Sequence, residues 1–151
     1  MSAELVDASI STLVITGMKQ IHSIATLPQE ITQDTCPVLF PNPQGWLGEQ
    51  STMPQEFDTS VLVRREHNFT ISYILAYAPV GAGRGLNEFY PGIAAMTLEL
   101  QNEIYKLQLT GLTAVRKVAI SKFGMLQDAV GKMFYGCGVD ITCYQVFTTK
   151  V

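Results

Sequence analysis

Charge is scarce in this chain. Only 15% of its 151 residues are Asp, Glu, Lys or Arg, where about 25% is ordinary for a soluble domain. Positive charge is scarcer still, ten Lys and Arg against thirteen Asp and Glu. A net charge of -3 removes the broad electrostatic pull on nucleic acid or anionic lipid that a basic protein exerts. Histidine occurs twice, as His22 and His67, so a histidine-based general base would need partners brought to it from far along the chain. Cysteine is odd in number, Cys36, Cys137 and Cys143, with no C-x-x-C spacing, which argues against a disulfide framework or a zinc site and suits a reducing cytoplasm. Long apolar runs are missing too. The longest uncharged stretch, Asn68 to Gly83, is interrupted by Thr70, Ser72 and Pro79 and is too short and polar to span a bilayer. Glu4 and Asp7 stand where a secretory leader would be basic. G-x-S-x-G, H-E-x-x-H and P-loop spacings, internal repeats and low-complexity tracts are all lacking, so nothing points to an enzyme, a cofactor or a resident metal.

What is present is 47% apolar residue content and a mean hydropathy of +0.19, enough for one sizeable core with surface left over for other protein. Ile10, Leu13, Val14, Met18, Ile21 and Ile24 recur at steps of three and four, which predicts an amphipathic helix from Ala3 to about Ile24, stopped by Leu27-Pro28. Thr35 to Pro41 is a short apolar run bracketed by prolines and reads as a short, peripheral edge strand or extended segment. Residues 42–58 follow neither period and read as a long loop. Ser60 to Arg65 and Phe69 to Ala78 predict two strands or one bent strand, with Arg64 to Asn68 as a hairpin turn or an exposed crossing. Glycines over Pro79 to Pro91 predict a second long loop. Ile93, Met96, Leu100, Ile104 and Leu107 predict a helix from Gly92 to Gln108 with Gly111 as its stop. Alternation over Ala114 to Met125 and Lys132 to Phe147 predicts two closing strands. The expected fold is α+β in a single domain over residues 1–151: a mostly antiparallel sheet of four to five strands packed with two amphipathic helices.

Several features draw a functional reading beside an ordinary one. Gly81-Ala82-Gly83-Arg84-Gly85 sits between strand and helix as a phosphate-binding turn does, but Leu86 to Pro91 intervene before the expected helix, so it reads as a flexible loop with Arg84 as a contact residue. Cys137 and Cys143 lie six residues apart on one strand, roughly 20 Å at the rise of an extended chain, and read as small core side chains. Trp46, Leu47, Phe89 and Tyr90 are apolar residues placed in loops, either tucked onto the core or serving as partner anchors. Met1 to Leu75 carries eight acids and three bases, and Ala76 to Val151 five acids and seven bases. That asymmetry suits head-to-tail packing of identical subunits, or merely two solvated faces.

In order and texture these segments resemble the tail terminator proteins, also called tail completion or minor tail proteins, of long-tailed bacteriophages. The resemblance rests on the leading amphipathic helix, the proline-bracketed Cys36-Pro37-Val38-Leu39-Phe40-Pro41, and the long strand Phe69 to Tyr77 ending in a Pro-Gly loop. The helix Gly92 to Gln108 and the closing pair with Tyr135-Gly136-Cys137-Gly138-Val139-Asp140-Ile141 extend it over nearly the whole chain. It implies a virion protein assembled in the host cytoplasm: a ring, usually of six copies, that caps the tail tube, ends its polymerisation and meets the head-side connector. The partners expected are further copies of the chain, the tail tube protein and the connector, with genomic DNA passing through without tight binding. Trp46, Leu47, Arg84, Phe89 and Tyr90 are the expected partner contacts, and Glu49, Glu56 and Asp58 the expected channel-facing acids. Two rivals stand beside it: another ring component of neck or tail, such as a connector or tube subunit, and a small ligand-binding domain or enzyme using the glycine loop.

Overall fold

The computed structural model describes residues 2–26, 36–42, 50–51, 55–56, 62–81, 85–107, 113–127 and 131–150. In chain order these form helix α1 (Ser2–Ile10), strand β1 (Gln20–Ile21), a 3-10 turn (Ile24–Thr26), and strands β2 (Val38–Asn42), β3 (Gln50–Ser51), β4 (Gln55–Glu56) and β5 (Leu62–Pro79). Helix α2 (Leu86–Tyr105) and strands β6 (Thr113–Gln127) and β7 (Met133–Lys150) follow. The fold is α+β, as the periodicities predict. Five strands run in the order β1-β2-β5-β7-β6, with the two-residue β3 and β4 also paired to β5. Only β1 with β2 is parallel; the other pairings are antiparallel.

Alternation builds the core. On β5, Phe69, Ile71, Tyr73 and Leu75 point to one face, directly opposite Cys143, Ile141, Val139 and Cys137 of β7. Val6 and Ile10 of α1 and Ile93, Met96, Leu100 and Ile104 of α2 close over that face, and together these residues form the main buried cluster. Full burial of each aliphatic side chain contributes roughly 1.5–3 kcal/mol. A smaller cluster of Cys36, Val38, Phe40, Ala76 and Phe134 gathers at the β2 end.

Four sequence expectations change. The first helix is nine residues long and stops at Ile10. Ser11 and Thr12 turn their hydroxyls back to the carbonyls of Ala8 and Ser9, the competition by which Ser and Thr loosen a helix end. The chain then turns through Gly17 at φ +82°, a conformation that favours glycine. Val14 is consequently 88% exposed rather than part of a buried stripe. Asp7 is buried: its carboxylate accepts a bond from the Tyr73 hydroxyl and another from the Ile24 amide at 3.0 Å.

The second change concerns the proline-bracketed strand, which is not at the edge. The amides of Lys19 and His22 donate to the carbonyls of Pro37 and Leu39 on its outer side, at 2.9 and 2.8 Å. By alternation Pro41 also faces outward, so its missing N–H costs β2 no bond to β5. Third, residues 42–58 are not all loop, because Gln50–Ser51 and Gln55–Glu56 pair with β5 at Asn68–His67 and Arg64–Val63. Arg64 to Asn68 accordingly lies inside one continuous strand and is neither turn nor crossing.

Fourth, α2 begins at Leu86 and includes Pro91, where the sequence predicts loop up to that proline. Pro91 is the sixth residue of the helix, so it withholds the one ladder bond that would reach the Asn87 carbonyl. The expected stops at Leu27-Pro28 and Gly111 lie outside the described residues.

Candidate interaction surface

Of the residues expected to contact partners, Trp46, Leu47 and Arg84 lie outside the described residues, as do the acids Glu49 and Asp58. Glu56 sits in β4, where its backbone pairs with Val63. Phe89 and Tyr90, neighbours in the first turns of α2, part company. Phe89 is half-buried against the core, its ring 5.9 Å from that of Tyr77 and 5.8 Å from that of Tyr135. Of the two placements its sequence position allows, the ring takes the one against the core. Tyr90 turns outward, 55% exposed, and meets Phe123 of β6 edge to face at 5.5 Å and 88°.

Phe123 was not singled out by the sequence, and its position depends on a register shift. Between Ser121 and Gly124 the β6–β7 ladder gains one residue on the β6 side. Lys122 adopts φ +51° and Gly124 φ +138°, so a bulge re-aims Phe123 toward Tyr90. A lysine in the left-handed region is strained by on the order of 1 kcal/mol. Elsewhere on these two elements Leu98 is 60%, Met125 59% and Tyr105 52% exposed. Exposed large apolar side chains thus occur on both α2 and β6, the last strand in the sheet order, and Tyr90 and Phe123 bring the two elements into contact.

The same region closes part of that strand's open edge. The Val118 amide donates to the Tyr105 hydroxyl at 2.9 Å, and the Val118 carbonyl accepts from the Gln101 side-chain amide at 3.3 Å. An edge strand otherwise offers unpaired backbone groups to any passing chain. Here helix side chains occupy them, while the apolar rings stay open to contact.

The other sheet face combines small and polar side chains with the Cys36, Val38, Phe40, Ala76 and Phe134 cluster. The hydroxyls of Thr70 and Thr142 lie 3.4 Å apart, Ser121 donates to Asp140 at 3.0 Å, and Arg116 lies 4.6 Å above the ring of Tyr144. Titratable groups in the interior serve packing. Burial pushes the Cys36 and Cys137 thiols up to about 11 and the Cys143 thiol to about 12. Desolvation and the bond to Asp7 raise the Tyr73 phenol well above its ordinary value. Burial lowers His22, whose Nδ1 lies 3.4 Å from the Thr26 hydroxyl. Among the described residues no three His, Cys, Asp or Glu side chains converge as metal ligands, and no helix is long and apolar enough to cross a membrane. A scan against protein-family models and a search of curated proteins both find no match to this chain.

Proposed function

We propose that this chain is a structural protein of a bacteriophage virion. Copies of it form a ring, six in the arrangement its sequence resembles, that caps the tail tube at the head-proximal end, halts its growth and joins it to the head-side connector. The observation that carries the reading is the exposed apolar surface along α2 and β6, centred on Tyr90 and Phe123. A patch of this kind on an otherwise well-packed domain marks a protein contact. Residues 42–58 and the connection between β5 and α2, with Trp46, Leu47 and Arg84, supply the axial contacts to tube and connector in this proposal. Glu49, Glu56 and Asp58 give the channel a weakly negative wall past which DNA moves without being held.

Light scattering together with electron microscopy of the purified chain tests the reading, alone and with tail tubes. Rings seated on tube ends are expected; a monomer under both conditions overturns it. In a gel shift at roughly 0.15 M salt, duplex DNA should not bind at micromolar concentrations. A second reading, another neck or tail ring such as a tube subunit, draws on the reach of the central ladder. Among the described residues Val146–Lys150 pair only with β5, beyond the end of β6. Polymerisation of the purified chain into long tubes would favour it.

A further inference from the structure

We infer that the sheet face turned away from the helices seats a second copy of this chain, and that it takes the acidic outer side of that copy's α2. The inference rests on the ring reading and names the two surfaces that meet. Register places the seat. Val139, Ile141 and Cys143 of β7 point into the helix-covered core, so Gly138, Asp140, Thr142 and Tyr144 point the other way, and Lys117 pairs with Thr142 on that open side. Arg116 joins it by lying over the Tyr144 ring. The Lys122 stem joins it too, since a Cβ on Gly138 would stand 3.8 Å from its Cδ. All three cations are exposed. Asp140, which accepts from Ser121, is the one acid among the described side chains of that face.

Charge and spacing identify the occupant. Helix α2 buries Ile93, Met96, Leu100 and Ile104, and the helical period puts Glu88 and Glu99 on the outward side, with Glu103 at its margin. Lys106, the one cation beside them, is paired with Glu103 at 3.3 Å. Thr16 holds the Glu99 carboxylate with two bonds of 2.9 Å, so that acid is in place before a neighbour arrives. Glu88 and Glu99 stand eleven residues apart, roughly 16 Å along a helix. Lys117 and Lys122 stand five apart on β6, roughly 16 Å along a strand. Between the acids Ala95 is exposed, and between the cations lie Ala119 and Ser121, so small side chains on both surfaces permit close approach. Like faces brought together would set cation against cation or acid against acid. The two surfaces lie on opposite sides of one molecule, helix layer and bare sheet, so the complementary contact is head to tail and closes into a ring when the rotation allows.

Sedimentation of the full-length chain and its variants decides the matter, with circular dichroism reporting whether each variant is folded. Lys117→Glu with Lys122→Glu, and separately Glu88→Lys with Ala95→Lys, should each weaken self-association roughly tenfold or more. Mixing the two should restore rings, because each reversed face then meets its complement. Should a reversal unfold the chain, Lys117→Gln with Lys122→Gln reads the same seam through a smaller loss. A parent that is monomeric throughout overturns the ring reading and the seam with it. Parent rings that persist in both folded variants overturn the seam alone, as does a mixture of folded variants that stays dissociated. If rings persist and duplex DNA shifts with the parent but not with the lysine variant, the cationic row belongs to nucleic acid and the seam is wrong.

Discussion

The two faces of the sheet are built to different rules. Under the helices, long apolar side chains from β5 and β7 face each other in register, and Tyr73, Ile71, Leu75, Val139 and Ile141 are 0–1% exposed. On the opposite face the same strands present Thr70, Ser72, Gly136, Gly138, Asp140 and Thr142, with Ile74, Ala76 and Phe134 set in the smaller apolar cluster. The first face derives its strength from volume, filled by two helices. The second derives its shape from closeness: a Cβ at Gly136 would stand 1.8 Å from the carbonyl oxygen of Leu75.

The comparison can be broken from either side. Leu100→Ala empties the centre of the helix-covered face and should cost about 3 kcal/mol, read as a lower denaturant midpoint. A loss below about 1 kcal/mol would mean that α2 resettles onto the sheet. Gly136→Ala adds one methyl group where backbone stands in the way and should cost about 2 kcal/mol. An unchanged melting temperature would show that β5 and β7 can separate locally. Tyr73→Phe takes one donor from the buried Asp7 carboxylate and should cost about 1.5 kcal/mol, while Ser121→Ala on the other face should cost roughly a third of that.

Alkaline pH sharpens the contrast most gently. Cys137, Cys143 and Tyr73 all lie in the helix-covered core and hold their protons more tightly when folded. Groups with raised folded values contribute stability that is complete below their unfolded values and lost as pH rises. Denaturant titrations should therefore show stability falling as pH climbs through 9, the ordinary thiol value, toward about 11. Cys137→Ala with Cys143→Ala should flatten part of that slope.

Much of this architecture was legible because a strand's period is written in consecutive residues. Phe69 to Ala78 and Met133 to Cys143 alternate cleanly, and β5, β6 and β7 fall close to where that alternation ends. The first helix misled because Leu13, Val14 and Met18 keep the helical step after the helix has ended, and the anchor that redirects the chain is remote. The Thr16 amide and hydroxyl both donate to the Glu99 carboxylate at 2.9 Å, eighty-three residues away. The short β3 and β4 carry no period of their own; they are strands because β5 offers them an edge. Of the candidate surface, Tyr90 was readable as a displaced aromatic, while Phe123 was not. A one-residue bulge leaves the sequence around it looking like ordinary alternation, and only the partner strand reveals the shift.

The length of β5 has a mechanical meaning. Its 18 residues span roughly 60 Å at the usual rise of an extended chain, and β7 accompanies it from Pro79 to Leu62. Ladder hydrogen bonds lie across the strands, so a pull along β5 loads many of them together in shear, whereas a pull across the strand end opens them one after another. A molecule built around this pair is stiff along one direction and yields by unzipping along another. An assembly of such molecules bears tension best when β5 lies parallel to the load.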